Sequence, residues 1–251
     1  MAGTGIQLIF PDWPAPPGVV AVSTTRTGGM SDGPYASLNL ARHVGDLDAA
    51  VDKNRALLMR RLDLVEQPRW LNQVHGNRVV AAERITHPVA ADAAIASALD
   101  VVCAVMTADC LPILLCDRRG TTVAAVHGGW RGLASGVIAA TVAALTSRGI
   151  AAADLLAWLG PAIGPAVYEV GEDVRNAMRA AEAAAALTAT IPGRWHLDLY
   201  ALARAGLRAC GVAAIHGGDF CTYAEPRRFF SYRREGVCGR QATLIWRRSI
   251  R

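Results

Sequence analysis

Three residues carry the strongest chemical signal in the chain: His75 in LNQVHGNRV, Cys110 in VMTADCLPILL and His127 in VAAVHGGWRG. Each histidine ends an apolar, strand-like run and is followed at once by glycine, where sheet folds present side chains to a site. Cys110 falls where Asp109 and Pro112 interrupt a run otherwise fit for a buried strand. Neutral imidazole and thiolate are strong ligands for zinc or copper, and three protein ligands with an open fourth position is the pattern of a catalytic zinc. The same residue types also suit a cysteine nucleophile with a histidine base, which needs no metal. Separations of 35 and 17 residues match no local zinc motif. Taken singly, each residue reads first as a core thiol or a satisfied strand-end histidine.

The turn HGGWRG leads into an apolar helical pattern, so its free backbone N–H groups can bind an anion, with Arg131 adding a bidentate contact. A tight turn that needs glycine for its dihedrals explains the same residues. A second glycine turn, TTRTGGMSDGPY, offers Arg26 in the same role. Near the C-terminus, Tyr223, Phe229, Phe230 and Tyr232 alternate with Arg227, Arg228, Arg233, Arg234 and Arg240. Such a segment can stack on bases and grip phosphates, but more commonly it is a surface loop with anchored aromatics and solvated charges. His216, Cys221 and Cys238 form a weak second metal set.

The elements that must position these residues follow from periodicity. Strands are expected at 19–25, 79–82, 100–106, 113–116, 122–126, 155–159, 213–215 and 242–246. Helices are expected after Asp46 or Asp48 as N-cap, over 133–147 stopped by Gly149, over 172–187, and over 199–210 entered from Asp198 and stopped by Gly211. Strands intermixed with amphipathic helices imply sheets covered by helices, an α/β or α+β class.

The chain has 251 residues, 52% of them hydrophobic and 19% charged, which excludes disordered and fibrous classes and allows a sizeable core. No linker or repeat divides it, so residues 1–251 read as a single domain. The net charge of +5 is spread along the chain, which argues against a nucleic-acid partner. The six cysteines form no Cys-x-x-Cys pair and read as free thiols. The N-terminal apolar run breaks at Pro11, and Val101 to Cys116 is too short to span a bilayer. The expectation is a cytoplasmic protein without a membrane partner.

Together these segments resemble the YfiH family, the laccase-domain or multicopper polyphenol oxidase-like proteins associated with purine nucleoside chemistry. The likeness runs from TTRTGGMSDGPYASLNLARHVGD through LNQVHGNRV, TADCLPILL and VHGGWRG to WLGPAIGPAVYEVG and CTYAEPRRFFSYRREGVCGRQATLIW. It leaves out the first ~20 residues and the Ala-rich helix. Where the family reads HAGWRG this chain has Gly128, a change expected to relax the turn.

The resemblance implies an α+β fold built as a four-layer α/β/β/α sandwich, with one zinc ion, or copper in its place, bound by His75, Cys110 and His127. It implies phosphorolysis of adenosine or inosine to free base and ribose 1-phosphate, with 5′-methylthioadenosine cleavage and adenosine deamination alongside. The small-molecule partners are thus a purine nucleoside and phosphate, and Arg26, Asn39, His43 and Arg131 are expected to contact them. The usual zinc-deaminase signature, His-x-Glu followed by Pro-Cys-x-x-Cys, is absent. Asp109 is therefore the expected proton shuttle, and an unbroken strand through Asp109 and Cys110 would count against it.

Two further enzymes compete. One is a cysteine hydrolase, with Cys110 as nucleophile and His75 or His127 as base, editing peptidoglycan precursors that carry L-serine wrongly placed; the family resemblance implies this as well. The other is a copper polyphenol oxidase, for which six histidines without a His-x-His pair are few. A pure binding module leaves His75 and Cys110 unexplained.

Overall fold

A computed structural model describes residues 5–178 and 185–249. The first sheet has four antiparallel strands in the order β1 (Leu8–Ile9), β2 (Val19–Thr24), β13 (Gln241–Arg247) and β5 (Cys103–Thr107). The second has six, in the order β12 (Ala214–Gly217), β8 (Leu155–Leu159), β6 (Leu111–Asp117), β7 (Val123–Gly128), β4 (Ala93–Ala96) and β3 (Val79–Ala81). Its outer pairs β12–β8 and β3–β4 are parallel and its centre is antiparallel. A small third sheet joins β10 (Leu187–Ala189), β11 (Trp195–Leu197) and β9 (Glu169–Val170).

Side-chain alternation stacks these sheets into layers. On β6, Leu114 and Cys116 meet Cys103 and Val105 of β5 and Ile245 of β13 between the two large sheets. Ile113 and Leu115 point the other way, onto α3 (Val137–Thr146) and α5 (Leu199–Ala209) through Val142, Leu145, Leu202 and Leu207. The outer face of the four-stranded sheet, with Val22, Ala104 and Leu244, is covered by Leu58 and Leu62 of α1 (Asp48–Leu62). The result is the expected order helix, sheet, sheet, helix. Strands covered on both faces read as unbroken apolar runs, which is why β6 and β8 are buried along their whole length.

Some elements depart from the sequence reading. The helix expected over 133–147 is two pieces, α2 (Trp130–Ala134) and α3, separated at Gly136, whose φ of 86° only glycine adopts without strain. The helix expected over 172–187 ends early: α4 covers Glu172–Ala177, residues 179–184 lie outside the described ones, and Leu187 pairs with Leu197 in a sheet. The strand expected from Asp100 starts only at Cys103, after a turn in which Asp100 has φ 61°. Neither Asp46 nor Asp48 caps α1. Asp48 is its first residue, and the Asp46 carboxylate accepts hydrogen bonds from Ser31 Oγ at 2.6 Å and Asn39 Nδ2 at 2.9 Å. Asp198 does cap α5, accepting from the Ala201 N–H at 2.9 Å.

Candidate metal centre

The connection between β5 and β6 presents Cys110. Its middle residue, Asp109, sits at φ 91°, a costly conformation for a residue with a side chain, and three bonds hold it there. Thr222 Oγ1 donates to Asp109 Oδ1 at 2.7 Å, the Arg233 N–H donates to Oδ2 at 2.6 Å, and the Asp109 carbonyl accepts from Ile163 at 3.0 Å. The strand is thus broken at Asp109, so the objection from strand alternation does not arise. Both carboxylate oxygens are nevertheless committed to the C-terminal segment. Asp109 does not line the cavity, and this corrects the expectation of a proton shuttle: its place is that of an anchor for α6 (Tyr232–Glu235).

His75 and His127 are joined by a residue that sequence reasoning missed. Asp92, fully buried, accepts from the N–H groups of His75 at 2.9 Å and Gly76 at 2.7 Å, and from His127 Nδ1 at 2.8 Å. It therefore shapes the loop around His75, which has φ 59°, and orients the His127 ring so that Nε2 is left for the site. The only signal for it in the sequence is an aspartate isolated in the apolar run VAADAAIA. Burial would push its carboxyl up, but hydrogen bonds from His127, Gly76 and Val74 hold it below the usual carboxylate range.

The three ligand atoms of His75, Cys110 and His127 lie within 4.8 Å of one another, with Cys110 Sγ and His75 Nε2 3.9 Å apart. Tetrahedral zinc with bonds of about 2.0–2.3 Å spaces such atoms by roughly 3.3–3.8 Å. Closing the widest separation by about 1 Å would bring the three into that range, so the donors fit zinc in type. Among the described residues this is the one such group; His216, Cys221 and Cys238 form no second one. Burial opposes charge on both Cys110 and His127, yet their proximity wins: the thiol falls to about 6 and the imidazole, also bonded to Asp92, rises to about 9.

Backbone packs tightly behind this group. A Cβ on Gly129 would lie 2.8 Å from His75 Cδ2 and 3.2 Å from Cys110 Sγ. Gly128 is the last residue of β7 rather than part of the turn, and a Cβ there would meet the Leu111 carbonyl at 2.8 Å. Its glycine allows a close strand approach, which corrects the expectation of a relaxed turn.

The ligands open into a cavity of about 400 Å³ whose other walls include His43, Gln73, Met106, Thr107, Tyr232 and Arg240. Of the expected substrate contacts, only His43 lines it. Arg26 is instead a clamp: it donates to Ala36 O, Pro226 O and Glu235 Oε1 and lies over Phe230. Asn39 is buried, donating to Ala41 O and Asp46 and accepting from the Arg240 N–H at 3.0 Å. Arg131 stacks on Trp130, 4.3 Å from its ring centre, and α2 is too short to offer a terminal anion site. Tyr232 and Arg240 belong to the segment read as a surface loop. Its Phe229 and Phe230 are indeed buried, but Arg234 is no solvated charge, since it donates to the carbonyls of Thr222, Tyr223 and Phe229.

Known proteins share both chain and fold. The model of the family described as multi-copper polyphenol oxidoreductase laccase matches residues 20–248. A purine nucleoside phosphorylase of Pseudomonas aeruginosa is 52% identical over 241 residues, covering 95% of this chain and 97% of that one. The purine nucleoside phosphorylase YfiH of Escherichia coli is 49% identical over 245 residues, covering 96% and 98%. Among solved structures, a Neisseria meningitidis protein superposes with a TM-score of 0.92 at 47% identity, covering 96% of this chain and 99% of that one. YlmD of Geobacillus stearothermophilus does so with a TM-score of 0.86 at 35% identity, covering 93% of each. With the match extending through the segments of His75, Cys110 and His127 and over nearly the full length, the chain belongs to the YfiH family of laccase-like proteins.

Proposed function

We propose that this protein is a zinc-dependent purine nucleoside phosphorylase acting on adenosine, inosine and 5′-methylthioadenosine, with adenosine deamination at the same site. The observation that carries the reading is the convergence of His75, Cys110 and His127 on a cavity rimmed by His43, Tyr232 and Arg240. Relatives at 52% and 49% identity that bear the phosphorylase name support it. In phosphorolysis a phosphate oxygen bonds to the anomeric carbon as the glycosidic C–N bond breaks, and the electron pair leaves with the base, which takes up a proton. The protein must therefore hold an anion beside the sugar and orient a planar base. Tyr232, 59% exposed at the rim, offers a ring face for the base. Arg240 offers charge, and the Asp92–His127 bond fixes the imidazole that faces the cavity. A bound zinc would supply Lewis acidity.

A second reading has its own support. The Asp92–His127 pair beside a thiol held below its usual value has the layout of a cysteine hydrolase, with Cys110 as nucleophile. Its substrate would be a serine-containing peptidoglycan precursor. Copper would also suit the donors, but six histidines without a His-x-His pair do not build a multicopper centre.

Chromatography of adenosine incubations, with and without phosphate, tests the proposal against a Cys110→Ala control. Phosphate-dependent adenine and ribose 1-phosphate, lost in the control and on chelation, are expected, with phosphate-independent inosine as the deaminase product. Adenosine returned unchanged overturns the nucleoside reading. Activity on muropeptide precursors that survives chelation and is abolished by iodoacetamide then establishes the hydrolase.

A further inference from the structure

The metal-ligand cavity continues beyond His43. His43 and Met106 also line a second cavity of about 460 Å³, whose other walls include Arg55, Trp70 and Asn72. The His43 ring is thus part of a partition between two chambers, with Arg240 on one side and Arg55 on the other. Each guanidinium is fixed by backbone and only partly used. Arg55 Nε and Nη2 donate to the Leu40 carbonyl at 3.0 and 2.8 Å, and the guanidinium lies over Trp70, leaving Nη1 without a hydrogen bond among the described residues. Arg240 Nη1 donates to the carbonyls of Cys238 and Gly239 at 2.8 and 3.0 Å, leaving Nε and Nη2 without a hydrogen bond among the described residues.

No acidic residue lines the metal-ligand cavity that Arg240 faces, whereas Arg55 feels the carboxylates of Asp52 and Asp48. Asp52, the one acidic residue lining either chamber, is paired with Arg42. His43 makes no hydrogen bond among the described residues, and burial followed by Arg240 and Arg55 holds its pKa below the ordinary value. Its neutral ring can donate from one nitrogen. A guanidinium fork on either side of an imidazole donor, with no acidic residue lining the metal-ligand cavity, is the chemistry that recognises a phosphate oxyanion.

We infer that the partition at His43, between Arg55 and Arg240, is a phosphate-binding site. In the phosphorylase reading, on which this rests, it holds the attacking phosphate beside the metal-ligand cavity, a role expected of Arg26, Asn39, His43 and Arg131 from the sequence, of which His43 alone lines that cavity. The phosphate is either the free inorganic ion or the ester group of a bound nucleotide, whose remainder would then extend into the second chamber.

The test is titration of the full-length protein, labelled in its histidine rings, with inorganic phosphate and separately with adenosine 5′-monophosphate, followed by NMR. The His43 signal is identified by its loss in His43→Gln. The expected result is a saturable shift of that signal, with binding weakened about tenfold or more in Arg55→Met and Arg240→Met and unchanged in Arg208→Met. Adenosine 5′-monophosphate acting at much lower concentration than inorganic phosphate assigns the site to an ester group, and the reverse assigns it to the free ion. A His43 signal unmoved by either ligand overturns the inference, and this wild-type result stands even where an arginine variant fails to fold. Arginine variants that titrate like the wild type overturn it too. Steady-state kinetics separates the two claims. Phosphate bound at His43 without turnover of adenosine leaves the site standing and removes the phosphorylase reading. Turnover with an unaltered phosphate KM in both variants keeps that reading and removes the site.

Discussion

The Asp92 carboxylate accepts from His127 Nδ1 at 2.8 Å, while its other bonds close the loop that carries His75. One buried side chain thereby sets the position of two of the three candidate metal ligands. Asp92→Asn keeps the shape but removes the charge and one acceptor. We expect zinc affinity to fall about 10–100-fold. Competition with a chromogenic chelator measures this, and an unchanged affinity would show that the imidazole is held by other contacts.

Gly129 lies so close behind the ligands that a methyl group there cannot be placed without moving His75 or Cys110. Gly129→Ala should therefore lose bound zinc and activity. Because the displaced atoms are at the cavity rather than between the sheets, circular dichroism should show the secondary structure intact.

Asp109 separates anchoring from proton transfer. Loss of a general acid or base costs about 10²–10⁴ in rate. Asp109→Asn retains an oxygen for the Arg233 N–H and can still bond Thr222. Adenosine turnover in this variant is expected within about tenfold of wild type, smaller than a proton-transfer loss. A fall of a thousandfold with an unchanged pH profile of binding would restore the shuttle.

Glu235, the last residue of α6, pairs with Arg26 at 2.6 Å and with its neighbour Arg234 at 3.0 Å. Burial raises its pKa, but the two guanidinium groups outweigh burial and hold the carboxyl below its ordinary value. A folded-state pKa below the unfolded one, about 4.3, means stabilisation that is complete above that pH and lost as pH falls through the folded value. Thermal melts of wild type and Glu235→Gln should differ at pH 7 and converge in strongly acidic buffer. A constant gap at all pH values would assign the effect to packing.

How much was legible in advance can be read from particular residues. The strand at 155–159 and the Asp198-capped helix follow from local chemistry, and the structure shows both. Apolar periodicity and capping act within a few residues, so a linear reading captures them. His75 and His127 stood out at the ends of apolar runs and Cys110 at a break in one, but their separations match no metal motif, and the family resemblance is what joined them into one candidate ligand set. The break at Gly136 was not legible, because an apolar run reads as one helix until packing forces a turn at a glycine.

Tertiary structure alone decided what surrounds those ligands. Asp92 reaches His127 across 35 residues because β4 pairs with β7 in a fixed register, Ala93 opposite Val126. Asp109 meets Thr222 and Arg233 across 113 and 124 residues. The same long-range closure turned Arg26 inward to Glu235 and brought Arg240 to the cavity. A side chain's composition states which bonds it can make, whereas its partner is set by which distant strand the sheet places beside it. The sequence therefore supplied the candidate donors through its family resemblance, and the sheet register and layer packing chose what orients them.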